Sequence, residues 1–574
     1  MVASVRIRMN PLSPVLPLPP GVIHFSLPTA AWKWLSRGFL AALLVPLATA
    51  DASWRSALYP EDWKPGFADA QGRFLPDFSY AGYHRGEKPL PRREGLVIEV
   101  TQPPYSADAT GKQDATAAIQ AALDAAAAQG GGVVFLPAGT YRIAPPEGQS
   151  SALRVEGDQV VLRGAGPDRT FLFNDEIQMR EKNVISVRAK DPAWWYVEGK
   201  WVQSTPATRD FADGSLTLPV ENPGLFQPGD PVIVRNDPTE NFIASLGMTG
   251  KWTPKNLKNR ALVFLRRIVA IDPAAGTVTV DAPIRYALKK EDNARVLKLP
   301  GKLISEVGLE DFSLGMKQHP GEGWGEEDFG VEGTAAYDVH QSHAIVFTSA
   351  ENCWMRRVNS FAPSGNSPTV HVLSNGVKFL RSRQVTAEDC DWRNTQYQGG
   401  GGNGYLYTLH GNECLIHRCR AENGRHNYDF GTMASSGNVL LDCLAKDGRL
   451  ASDFHMHFSV SNLHDNTTCD GDFLEAKYRP WGGTPVHGVT TSQSVFWNTH
   501  GLRYIASPFE FNGSRHARPQ VLVESEQFAN GYVIGTRGPA NKVKSSNFVE
   551  GVGRGDALEP PSLYRDQLAR RLAR

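Results

Sequence analysis

The first fifty residues contain no acidic side chain; their only charges are Arg6, Arg8, Lys33 and Arg37. The apolar run at 38–47 is too short to span a bilayer, which needs about 18 residues or more. It follows Lys33 and Arg37 and precedes Ala48-Thr49-Ala50, the small-x-small pattern of a signal-peptidase site. Residues 1–50 therefore read as a signal peptide, and the expected location is secreted or periplasmic with no stable membrane insertion. Net charge is also lacking: 60 Lys and Arg balance 60 Asp and Glu, which argues against nucleic acid as a partner. Cysteine is scarce, six residues all within 353–469. An exported compartment permits disulfides, but the spacing of these cysteines points first to architecture.

The most informative stretch that is present runs from 114 to 143. Ala118, Ile119, Ala122, Leu123 and Ala126 form one face of an amphipathic helix at about 115–129. Gly130, Gly131 and Gly132 end it where φ must be free, and Val133-Val134-Phe135-Leu136 reads as a buried strand of a parallel sheet. This segment resembles the opening of the pectate-lyase-like right-handed parallel β-helices, the group that includes glycoside hydrolase family 28-related proteins. The resemblance implies a helix that caps the open end of a solenoid, and a protein that handles polysaccharide.

A weak repeat supports the solenoid. Aligned segments starting at 350, 387, 411, 436 and 492 place Cys353, Cys390, Cys414, Val439 and Val495 in one column, with Met355, Trp392, Ile416, Leu441 and Trp497 two positions on. Spacings of about two dozen residues suit one β-helix coil each. Cys390 and Cys414 are then expected to be reduced interior neighbours. The fold class is all-β: a right-handed parallel β-helix with an N-terminal capping helix and a small inserted β domain. Residues 51–95 form an arm along the solenoid, 96–190 the cap and first coils, and 301–550 the main coils. Residues 191–300 read as short antiparallel strands with a hairpin at Pro273-Ala274-Ala275-Gly276, the insertion. Residues 551–574 are a charged helical tail, a C-terminal cap or a free end.

Chemistry concentrates at 427–487. Strict alternation from Asp453 to Phe458 puts Phe454, Met456 and Phe458 on one face and Asp453, His455 and His457 on the other. Glu475, Lys477 and Arg479 share a face one coil later, and Asn427 and Asp429 flank Tyr428 one coil earlier. Outward side chains on stacked rungs then form one patch, with Trp481 and His487 on a following loop and His343 at the border as substrate contacts. Trp194, Trp195, Tyr196 and Trp201 offer a lesser aromatic platform. No metal site is expected; calcium is considered only at Asp465, Asp470 and Asp472, a run without the terminal Glu of an EF-hand loop.

The patch suits two reactions. In β-elimination from a uronic acid, His455 or His457 takes the proton α to the carboxylate while Lys477 and Arg479 supply positive charge. In hydrolysis, two of Asp429, Asp453 and Glu475 flank the bond. Polygalacturonase-like hydrolases carry Asp-Asp, Gly-His-Gly and Arg-Ile-Lys, none of which occurs here. Because the patch is rich in His, Lys and Arg, the expectation is a polysaccharide lyase, closely followed by a glycoside hydrolase, with a non-catalytic tailspike-like glycan binder or a sugar epimerase as further alternatives.

Overall fold

The computed structural model describes residues 52–196, 202–258, 260–511 and 513–574. The signal-peptide reading and Trp201 lie outside the described residues. From Val97 to Glu550 the chain winds as a right-handed parallel β-helix whose strands pair with their counterparts one coil on. Helix Thr116–Ala128 closes the first coils with Ile119, Ala122, Leu123 and Ala126 turned into the solenoid core. Beyond it Gly131 has φ +120, and a Cβ there would meet the Gln159 carbonyl oxygen at 2.6 Å. Glycine is therefore needed for both the turn and the close approach.

Two long parallel sheets matter for function. In one, Met355, Ala387, Ile416, Leu440, His464, Phe496 and Val533 stack on successive rungs as an interior column. The adjacent positions Leu415, Val439, Leu463, Val495 and Tyr532 form the next column, which points outward. It is nevertheless buried, under Leu58, Tyr59, Trp63, Leu75 and Phe78 of the arm and Leu563 and Tyr564 of the C-terminal helix. Both faces of these strands are thus apolar, which erases the period-two signal.

That loss explains a correction to the repeat. Val439 and Val495 share a column with Leu463 between them, but the cysteines do not belong to it. Cys414 lies one residue before Leu415, in line with Val385 and Asn438. Cys390 instead stacks with Cys419 and Cys443, as the pairing of Asp391 with Arg420 and Leu444 shows. Cys390 and Cys414 are not neighbours. All six cysteines are buried and unpaired.

The segment 191–300 folds as a six-stranded antiparallel sheet with the hairpin Val263–Asp272/Thr277–Val280. It docks on the coils through charge: Arg266 and Arg285 both bind Glu413, Arg267 binds Glu351, and Arg383 binds Asp281 and Glu351. The tail is neither an end cap nor free. Helix Leu563–Leu572 lies along the flank, where Asp465 accepts hydrogen bonds from the Ser562 hydroxyl and the Tyr564 amide, both at 2.8 Å. Burial pushes the Asp465 carboxyl up to about 7.

Phe454 is fully buried and stacks on Phe430 at 5.0 Å, so Phe454→Ala should destabilise the protein by about 3–5 kcal/mol in denaturant melts; a loss below about 1 kcal/mol would place the ring outside the core. The raised Asp465 value means that its contribution to stability is complete in acid and is lost as pH rises through about 7. Asp465→Asn, which removes the charge, should compare more favourably with wild type in melting temperature at pH 8 than at pH 5. Equal differences at the two pH values would refute this.

Candidate functional site

The second sheet carries the candidate site residues. Its register aligns Val346, Lys378, Thr408, Asp429, Asp453, Glu475, Glu524 and Lys544 in one outward column. Four carboxylates therefore occupy consecutive rungs about 4.8 Å apart. They lie along or beside a groove of about 1190 Å³ whose walls include Tyr405, His410, His426, His455, Lys477, Arg479, Trp481 and His487.

Asp453 is the hub. Its Oδ2 receives Arg479 Nη2 at 2.7 Å, His455 Nδ1 at 3.0 Å and His426 Nδ1 at 3.2 Å, and the residue is fully buried. Burial alone would raise this carboxyl, but His426, Arg479 and His455 outweigh it and hold Asp453 ionised. Asp429, one rung away, is raised well above the carboxylate range by burial and by the Asp453 charge. Two neighbouring acids are thus driven apart, one held ionised and the other pushed toward its protonated form. Arg479 also binds Glu475, while Lys477 joins Glu475 at 2.5 Å to Glu524 at 3.4 Å.

His455 turns its second nitrogen toward Tyr405 at the groove. With Asp453 ionised, Nδ1–H donates to it and Arg479 Nη1 donates to the His455 carbonyl at 3.1 Å. Nε2 then accepts from the Tyr405 hydroxyl at 3.1 Å. Burial lowers His455 to about 4, against the pull of Asp453, so the ring is neutral near pH 7. Burial likewise lowers His426 to about 3 and His487 to about 4.

The structure brings Asp429, His455, Glu475, Lys477, Arg479, Trp481, His487 and His343 to one groove, with Asp453 fully buried behind Arg479 and His455. It does not bring His457 or Asn427. The strand stops at Phe454, and His457 and Phe458 adopt φ of 53 and 56, so alternation ends before them. The His457 ring turns to Trp252 of the insertion, 5.7 Å away, and Phe458 joins the insertion's core beside Phe242 and Tyr286, while Met456 lines the groove instead of the solenoid interior. Asn427 is fully buried near the start of strand His426–Phe430, donating to the Lys446 carbonyl and to Asp472. Tyr405, His410, His426 and Lys378 were missed. Tyr405 and His426 pair across adjacent strands, and coil spacing carried upstream from Asp429 would have found them. Trp195 is core and Trp194 lies under Arg381, so the aromatic platform belongs to the insertion.

His426, Asp453 and His455 offer ligand atoms within 4.8 Å of one another. The set does not suit a cation: Arg479 already binds the same carboxylate oxygen, and His426 Nδ1 lies 2.7 Å from the Ala451 carbonyl. The acidic run at 465–472 does not converge either, since Asp465 faces Ser562, Asp470 faces Arg503 and Asp472 faces Asn427.

Residues 100–192 match a family model described as rhamnogalacturonase A/epimerase, pectate lyase-like. The chain is 46% identical over 68 residues to mannuronan C5-epimerase AlgE3 of Azotobacter vinelandii, 12% of this chain and 4% of that protein. It is 41% identical over 68 residues to alginate lyase 7 of the same organism, 12% of this chain and 8% of that one. The match spans less than a tenth of either relative's length. Similar solved structures include the Pseudomonas phage phi297 tailspike gp61, with TM-score 0.39 and 12% identity over 78% of this chain and 70% of that one. The A-module of mannuronan C-5 epimerase AlgE4 from Azotobacter vinelandii gives TM-score 0.27 and 12% identity over 79% and 96%. The first coils are thus similar to pectate-lyase-like sequences, and the architecture is that of a parallel β-helix.

Removing the guanidinium leaves Asp453 buried without its main counter-charge. Arg479→Met should cost about 3–5 kcal/mol in urea unfolding. Unchanged stability would mean that the two histidines alone hold the carboxylate.

Proposed function

We propose that the protein is a carbohydrate-modifying enzyme that takes the C5 proton from a uronic-acid unit of an acidic polysaccharide and cleaves the chain by β-elimination. The observation that carries this reading is the neutral His455, fixed by Asp453 and facing Tyr405 and the groove. The substrate carboxylate must be neutralised before the α proton becomes acidic, and protonated Asp429 can donate to it beside the charge of Arg479. The C5–H proton passes to His455 Nε2, the C4–C5 double bond forms as the C4–O bond breaks, and the leaving oxygen takes the Tyr405 proton. His455 then returns its proton to Tyr405 across their 3.1 Å contact, which restores both groups.

Hydrolysis fits less well. Asp429 and Asp453 have the required opposite protonation, but Asp453 is wholly buried under Arg479 and two histidines and cannot reach an anomeric carbon. C5 epimerisation is the second reading, because it begins with the same abstraction and differs in where the proton returns. The similarity to mannuronan C5-epimerases favours it.

Purified protein should generate unsaturated uronate, read by ultraviolet absorbance, from a polyuronate. His455→Ala should reduce turnover by roughly 10²–10⁴-fold. Because the base must be neutral, kcat/KM should stay level through neutral pH and fall as pH drops through about 4. Solvent deuterium incorporation at C5 without absorbance would assign epimerisation. Full activity in His455→Ala with loss in Asp429→Asn would overturn the assignment of the base.

A further inference from the structure

Lys378 stands in the same outward column as the acids, with Thr408 between it and Asp429. It is half-buried and lines the groove. The other groove cations are engaged: Arg479 by Asp453 and Glu475, Lys477 by Glu475 and Glu524, and Arg425 by Glu326, while Arg518 stacks on Phe509. Among the described residues Lys378 has no carboxylate within 4.0 Å. Burial lowers Lys378 against the pull of Asp429, the nearest acid along the column two rungs away, which burial and the Asp453 charge in turn raise. A partly desolvated ammonium without a counter-ion is costly unless something supplies the opposite charge.

Its neighbours are of one kind. His343 lies on the preceding rung and His410 on the following one, and both line the groove. Burial and the Lys378 charge lower both, His343 to about 3, so they stay neutral and can donate N–H without competing as cations. From Lys378 to Asp453 is three rungs, about 14 Å along the solenoid. That distance lies beyond the sugar unit that would react at His455.

We propose that Lys378, flanked by His343 and His410, is a subsite for a second carboxylate of the same polymer, some distance along from the reacting unit. The substrate class then narrows to chains that carry acid groups repeatedly, as opposed to isolated uronates within a neutral polymer. This rests on reading the groove as a polyuronate site, and the experiment separates the two.

Binding of a uronate hexasaccharide, of its carboxyl-reduced neutral counterpart and of inorganic sulfate would be measured by calorimetry on wild type, Lys378→Gln and Lys378→Arg, with turnover of the polymer in parallel. Lys378→Gln should weaken the acidic hexasaccharide at least tenfold, leave the neutral one unchanged, and raise KM on the polymer with kcat little altered. Lys378→Arg should retain most of the affinity, which excludes a folding defect as the cause. Wild-type turnover with an unaltered affinity in Lys378→Gln would overturn the subsite alone. Sulfate binding that depends on Lys378 without an effect on the hexasaccharide would also overturn it, leaving a site for free anions. Failure of wild type to bind the acidic hexasaccharide at all would overturn both this proposal and the reading of the groove.

Discussion

Stacking is the constraint on which the rest of the groove depends. Parallel rungs repeat every 4.8 Å or so, and the register places Asp429, Asp453, Glu475 and Glu524 directly over one another. Four like charges at that separation cannot all remain ionised without compensation. The protein answers differently at each rung. Glu524 and Glu475 are bridged by Lys477, Asp453 is surrounded by Arg479 and two histidines, and Asp429 is pushed toward its protonated form. The contrast between Asp453, held ionised, and Asp429, pushed toward its protonated form on the next rung, is thus a product of the repeat, and it is the pairing of fixed anion and proton donor that the proposed acid–base chemistry requires.

The insertion holds the far wall in place. Its Trp252 indole donates to the Val486 carbonyl at 2.8 Å, and the loop between Arg479 and Gly488 is closed by a reciprocal pair of backbone hydrogen bonds. His487 and Trp481 therefore sit on a braced loop. The insertion is itself tied to the coils through Glu351, Arg383 and Glu413. Breaking any of these pairs would leave a buried charge uncompensated, so wall and floor are expected to move as one body.

The cap was legible because its helix and strand follow local rules: one apolar face, glycines at the turn, then a continuous apolar run. The outward pair Asp453/His455 and the set Glu475/Lys477/Arg479 are legible because alternation and coil spacing agree there. His457 was not, since the strand ends at Phe454 and left-handed residues at 457 and 458 reverse the faces. Asn427 shares a strand with Asp429, but its amide is used up inside the fold by the Lys446 carbonyl and Asp472. The cysteine register failed because the arm covers the outside of those strands, so that inside and outside residues have the same character. Tyr405 carries no local signal of its own; only its position beside His426 and beneath His455 gives it a role.

The arm has a further consequence for the length of the solenoid. Its Tyr83 amide binds Thr386 at 2.8 Å, its aromatic residues lie against Leu415 through Tyr532, and its Trp54 amide binds the Ala557 carbonyl at 2.9 Å. A bare solenoid gains or loses a coil easily, because each repeat touches only its neighbours. Here a duplicated or deleted coil would displace one end of the arm from its seat by a full rung. The arm acts as a gauge that fixes the number of coils, and with it the distance between the first and last positions of the groove.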